Sequence, residues 1–215
     1  KAVPSATLAE QLRRERTALD LPPEPTADLT PAEIYRRRRD AVVVFGSMTA
    51  SGQMTMASGT VLAADGVIAT NYHVLEGAKK GPIVFGLLTR AGRFLPVVEV
   101  LAASRPADLA LVRVEAKDLV AAPLASDAEP GEPVTVISHP GDRFYTLTQG
   151  SVSRFFRIVN QGRATVRMAI TADFAIGSSG APVFNRHGAV CGLVAATNTV
   201  REQMVFKDCP PVHEI

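Results

Sequence analysis

Beyond residue 40 the chain reads as short apolar or alternating runs separated by turn residues, at 41–45, 59–63, 67–69, 83–88, 94–101, 109–114, 133–138, 150–156, 164–171, 181–185, 189–196 and 203–207. Runs this short, with almost no helical period, predict about a dozen strands and an all-β barrel or sandwich. Asp65-Gly66, between two of the runs, is a strong hairpin signal. A dozen strands suit two six-stranded antiparallel barrels, one over about 41–121 and the other over about 122–207, joined by the loop around 117–132. No repeat of about 20–50 residues is visible.

Residues 1–40 differ in texture, holding a disproportionate share of the charge and the prolines. Residues 8–19 read as a helix and 21–28 as a Pro-containing linker, so 1–30 form an arm and linker ahead of the main domain at 31–215. Thr30-Pro31-Ala32-Glu33 has capping-box spacing with proline at the first helical position, which predicts a short helix over about 31–39 docked through Ile34 and Tyr35. Arg36 to Arg39 then complement the helix dipole at its C-terminal end and are solvated.

Composition narrows the classes. In 215 residues, 47% apolar and 20% charged content is that of an ordinary globular chain, and no apolar stretch approaches the ~20 residues that span a bilayer. With 23 basic and 21 acidic residues the net charge is +2, too small to imply a nucleic-acid partner or a membrane surface. Two cysteines and four histidines show no metal-binding spacing, so neither a structural metal nor a cofactor is expected. Lys1 opens the chain without a charged-then-apolar leader, which reads as a processed or trimmed chain.

Three segments carry candidate chemistry. His73 follows a buried run directly, in Ile68-Ala69-Thr70-Asn71-Tyr72-His73-Val74-Leu75, where its ring can face a cleft; alone, such a histidine is more often structural. Asp108 begins the apolar run 109–114, and a nearly buried carboxylate there needs a donor such as an imidazole N–H. Gly177-Ser178-Ser179-Gly180 enters the run 181–185; flanking glycines let backbone N–H groups converge on one point, though alone the tetrad is only a flexible turn. Taken together the order His73, Asp108, Ser179 is that of the chymotrypsin class of acyl-transfer enzymes.

The stretches at 58–75, 107–114, 148–153 (Thr-Gln-Gly-Ser-Val-Ser), 177–184 and 188–194 resemble the trypsin-like serine peptidases, and within them the bacterial HtrA, or DegP-like, branch. The resemblance covers roughly 31–210. It implies a chymotrypsin-like double β-barrel with a cleft between the barrels, polypeptide substrates, and a place in the bacterial envelope or outside the cell. By position it makes His73 the general base, Asp108 its orienting anion, Ser179 the nucleophile, and the N–H groups of Gly177 and Ser179 the oxyanion hole. Ser178 and Ala181 depart from the usual Gly-Asn-Ser-Gly-Gly-Pro pattern, and no PDZ domain follows within the chain, so a stand-alone or truncated protease domain is expected.

For the substrate pocket, Asp173 lies six residues before Ser179, the spacing of the acid that selects basic side chains in trypsin-type enzymes, whereas the HtrA branch has a structural aspartate nearby. The opposite wall falls to Val194-Ala195-Ala196-Thr197, whose small side chains suit a small-to-medium apolar group. Cys191 and Cys209 come near each other if their runs pair, either as a disulfide or with Cys191 as a buried apolar residue. His139-Pro140-Gly141-Asp142 reads as a turn, and His187 and His213 as surface residues. Two other functional readings compete: a catalytically silent peptide-binding scaffold on the same fold, and an α/β-hydrolase using Ser179, Asp208 and His213, which the lack of alternating strands and helices disfavours.

Overall fold

The computed structural model describes residues 2–80, 83–126, 128–200 and 204–214. The capping box is present as read: Glu33 N–H donates to Thr30 Oγ1 at 3.3 Å and Thr30 N–H to Glu33 Oε2 at 2.8 Å, starting helix α2 (Pro31–Arg38), which buries Ile34. The preceding helix, α1 (Ser5–Gln11), is shorter than the expected 8–19. It stops because the next residues turn to bond a strand instead. Gln11 Oε1 accepts Val100 N–H at 2.8 Å and the Arg14 carbonyl accepts Ala103 N–H at 2.7 Å, while Leu8 and Leu12 enter the adjoining core.

Six strands then close a barrel: β1 (Val42–Thr49), β2 (Met54–Ala63), β3 (Val67–Thr70), β4 (Ile83–Leu88), β5 (Phe94–Ser104) and β6 (Leu109–Val114), in the order β1-β2-β3-β6-β5-β4. The hairpin at Asp65-Gly66 needs its glycine, which has φ +100° and would place a Cβ 2.1 Å from the Val114 carbonyl oxygen. A four-residue helix, α3 (Tyr72–Leu75), follows β3 and buries Tyr72 and Leu75.

The chain passes to its second sheet at 122–125, where Ala122 N–H bonds the Val61 carbonyl and Ala125 N–H the Val190 carbonyl. That sheet holds β7 (Pro133–Ser138), β8 (Thr146–Asn160), β9 (Arg163–Ile170), β10 (Pro182–Phe184), β11 (Val190–Leu193), β12 (Ala196–Val200) and β13 (Met204–Cys209), in the order β11-β10-β7-β8-β9-β13-β12.

The expectation of two closed six-stranded barrels is therefore corrected: the first closes, and the second is a seven-stranded sheet that does not. The run 189–196 is not one strand. It breaks at Val194-Ala195, so β11 pairs with β10, β12 pairs with β13, and the two ends of the sheet are consecutive in the chain. Isolated links tie the chain around this break to β13 and the residues after it: Leu193 N–H to the Pro210 carbonyl at 3.0 Å, Ala195 N–H to the Asp208 carbonyl at 3.3 Å, and a bridge between Gly192 and Pro211. Among the described residues every strand pair is antiparallel, which offers no strand-helix-strand unit for an α/β-hydrolase. No helix among the described residues is long and apolar enough to cross a membrane.

Candidate active site

The polar groups singled out in the sequence gather where the barrel meets the second sheet. His73 lies in α3, raised into the open by the buried Tyr72 and Leu75 around it; its side chain is 45% exposed. Asp108 ends the tight turn 105–108 between β5 and β6, its N–H bonded to the Arg105 carbonyl at 3.2 Å and its φ at 58°, a left-handed conformation uncommon outside glycine. The Asp108 carboxylate meets His73 twice, accepting the backbone N–H at 3.0 Å and bonding Nδ1 at 2.9 Å through Oδ2. Asn71 Nδ2 donates to the Asp108 carbonyl at 3.0 Å, so backbone and side chain of the aspartate are both gripped by the segment that carries the histidine. The Asp108 hydrogen bond raises the His73 pKa above its ordinary value, with burial opposing it and the Asp108 charge adding to it.

The Gly177-Ser178-Ser179-Gly180 turn is held against β2. Ser58 N–H donates to the Ser179 carbonyl at 2.7 Å, Ser58 Oγ to the Gly177 carbonyl at 2.9 Å, and Thr60 Oγ1 to the Gly180 carbonyl at 3.0 Å. Gly180, at φ +85°, has no room for a side chain: a Cβ would lie 2.3 Å from the Ser58 carbonyl oxygen and 2.5 Å from Thr70 Oγ1. The turn thus rests on Thr70, three residues before His73.

The two serines occupy different environments. Ser178 is fully buried, its Oγ donating to Ser138 Oγ at 3.0 Å and its N–H to the Ala175 carbonyl at 3.0 Å. Ser179 is partly exposed. Among the described hydrogen bonds, neither the Gly177 nor the Ser179 N–H is given to a protein acceptor, and none joins Ser179 to His73.

Around this centre the other singled-out residues sort clearly. Asp173 is 85% exposed and its carboxylate pairs with the Lys207 ammonium, while Thr148 Oγ1 holds its carbonyl at 2.6 Å. Val194 is buried and bonded to the 177–180 turn, Gly180 N–H to the Val194 carbonyl at 2.9 Å; Ala195 is half-buried, and Ala196 and Thr197 are exposed.

Cys191 and Cys209 are both buried free thiols, not a disulfide. Cys191 Sγ donates to the Val183 carbonyl at 3.3 Å, and burial pushes it up to about 12 and Cys209 well above the usual thiol range. His139 is more than a turn residue: it is 3% exposed, its Nδ1 accepts Tyr145 N–H at 3.1 Å, and burial pushes it down to about 4. His213 is exposed and His187 half-buried. Among the described residues no group of His, Cys, Asp and Glu is arranged to hold a metal ion.

Sequence reasoning missed Asn71, Ser58 and Thr60 as supports. All three lie inside the 58–75 stretch, but their partners sit up to 120 positions away, as in Thr60 to Gly180.

A closed antiparallel barrel abutting a second antiparallel sheet, with a His–Asp pair on one and a glycine-flanked serine on the other, is the layout of double-barrel hydrolases. The chain belongs to the trypsin-like peptidase domain family, whose model matches residues 57–193.

It is 37% identical over 141 residues to a protein of Hahella chejuensis described as "Probable periplasmic serine endoprotease DegP-like", a match covering 63% of this chain and 28% of that one. A protein of the same description from Halomonas elongata is 34% identical over 143 residues, covering 65% of this chain and 29% of the other. The chain thus spans under a third of the length of these curated relatives.

Among solved structures, the fold is similar to a serine endoprotease from Yersinia pestis, with TM-score 0.70 and 21% identity over 87% of this chain and 64% of that chain. It is also similar to the HtrA-type protease AlgW with a tripeptide, with TM-score 0.73 and 21% identity over 86% and 60% of the respective chains.

Proposed function

We propose that the chain is a serine endopeptidase domain, 31–215 with the arm 1–30 docked on it, that hydrolyses polypeptides through an acyl-enzyme. The observation that carries this reading is the double contact of Asp108 with His73 in a site where the Ser179 turn is bonded to the same barrel.

Serine is a weak nucleophile until a base takes its proton. Asp108 on Nδ1 fixes the tautomer in which His73 Nε2 is free to do so, and then stabilises the imidazolium. Ser179 Oγ attacks the scissile carbonyl, and the Gly177 and Ser179 N–H groups, given to no protein acceptor among the described residues, receive the oxyanion. His73 passes its proton to the leaving amine, and water repeats the sequence on the acyl-serine. The absent Ser179–His73 bond is compatible with this, since such bonds are often long without substrate.

The pocket beside Ser179 takes a small-to-medium apolar side chain: the wall at Val194, Ala195, Ala196 and Thr197 is small, and the charge of Asp173 is already countered by Lys207, which removes the incentive for a basic residue. The description of the DegP-like relatives supports a periplasmic location.

The test is labelling with a serine-directed fluorophosphonate, the adduct located by peptide mass spectrometry in the native chain and in His73→Ala. An adduct on Ser179 that requires His73 is expected. A folded native protein that forms none is instead a catalytically silent peptide-binding scaffold, the reading that the missing Ser179–His73 bond favours.

A further inference from the structure

The turn that carries Asp108 is not self-sufficient. Its two central carbonyls, Pro106 and Ala107, find their hydrogen-bond partners among the described residues only on β9, across the junction between barrel and sheet. Strand alternation puts Met168 and Ile170 of β9 into the core of the second sheet, and therefore turns Thr165 and Arg167 to the opposite face, toward that turn. Arg167 is 7% exposed; its Nη1 donates to the Ala107 carbonyl at 2.5 Å and its Nη2 approaches the Pro106 carbonyl at 3.4 Å. Thr165 Oγ1 reaches the same Pro106 oxygen at 3.4 Å.

Among the described residues no carboxylate forms an ion pair with Arg167. A nearly buried cation without a counter-ion is costly, and its fixed fork of donors suits it to bracing two adjacent carbonyls in a way no apolar residue can. The carbonyls it braces are those of the two residues immediately before Asp108, whose left-handed backbone delivers the carboxylate to His73.

We propose that Arg167 is a positioning residue for the peptidase reaction: from the second sheet it locks the 105–108 turn, and so sets where Asp108 holds His73 relative to Ser179. The proposal rests on the catalytic reading of His73, Asp108 and Ser179. With the bonds from Ser58 and Thr60 to the nucleophile turn, it gives the junction two fixed points, one on each side of the cleft.

The test is a double-mutant cycle in the full chain: Arg167→Met and Arg167→Lys, each alone and combined with Asp108→Asn, read as kcat and KM on a peptide substrate and as the rate of Ser179 phosphonylation. Misplacement of about 1 Å is enough for a hundredfold loss. Arg167→Met is therefore expected to lower kcat about 10- to 100-fold with KM within about threefold, and Arg167→Lys, which keeps one donor for the Ala107 carbonyl, to recover most of it. In the Asp108→Asn background Arg167→Met should cost less than about twofold more, because the group it positions is already gone.

The same fractional loss in both backgrounds would mean a general packing role and overturns the proposal, as does a folded Arg167→Met with native kcat. If Asp108→Asn alone leaves kcat unchanged, the catalytic reading itself fails, and the proposal with it. Should Arg167→Met not fold, Arg167→Lys and Thr165→Val keep the test open: each is expected to lower kcat at unchanged KM, an effect that vanishes with Asp108→Asn and whose persistence there counts against the proposal.

Discussion

The two sides of the junction between barrel and sheet are built by different means. On the His73 side a closed barrel supplies the frame: β3 runs into α3, the β5–β6 turn places Asp108 beside it, and the pair makes its own contacts. On the Ser179 side the sheet is open, its end strands β11 and β12 are split at Val194-Ala195, and the 177–180 turn takes its position from bonds to β2 of the other half. His73 is held mainly by its own barrel, with Arg167 bracing the Asp108 turn from the second sheet, whereas the Ser179 turn is held by docking onto β2. Changes confined to the barrel should therefore be felt first as stability, whereas changes at the junction should be felt first as rate.

The largest effect marks the serine itself. Ser179→Ala should reduce kcat by at least about a thousandfold with the melting temperature unchanged, measured on a peptide substrate and by thermal unfolding. An unreduced rate would remove Ser179 from the mechanism, and the buried, hydrogen-bonded Ser178 is poorly placed to replace it.

The histidine side is read by pH. Because Asp108 raises the His73 pKa, the acid limb of kcat/KM should lie above about 6.5 and fall about tenfold per pH unit below that pKa, since protonated His73 accepts no proton. A limb that does not move when Asp108 becomes Asn would break the link between the two residues.

Next comes a matched pair of glycines. Gly180→Ala and Gly66→Ala both force a side chain onto a carbonyl oxygen at positive φ, that of Ser58 in one case and of Val114 in the other. Each should destabilise the fold by about 1–3 kcal/mol, but Gly180→Ala should also lower kcat about tenfold under conditions where both variants are folded. Equal rates would erase the distinction between docking and frame.

The smallest effect is at His139. It is held neutral in the folded state and pushed down to about 4, so the unfolded chain binds the proton first as pH falls. The stability this histidine supplies is complete above about 6.5 and is lost progressively toward about 4. Calorimetry should show a melting temperature falling by a few degrees over that window, and a flatter profile for His139→Asn.

What could be read in advance follows how local the cause is. The capping box at Thr30–Glu33, the hairpin at Asp65-Gly66 and the strand centres depend on neighbouring residues, and they lie where the pattern puts them. The ends of α1 and of β8 do not. Residues 11–14 leave the helix to bond β5, and β8 runs 15 residues because β7 and then β9 pair with successive parts of it. The splitting of 189–196 depends on its two halves pairing with different neighbours, β10 before them and β13 after. Within the site, His73, Asp108 and Ser179 stood out through their flanking residues, whereas Arg167 sits in an unremarkable alternating run and gains meaning only from Pro106 and Ala107, some 60 positions away.

The two buried sulfurs carry a consequence of another kind. As thiols far above the pKa of a reactive cysteine, Cys191 and Cys209 expose almost no thiolate to alkylating reagents or oxidants while the sheet is closed over them. Neither is joined to the other, so this pair gives a reductant no bond to break in the native state.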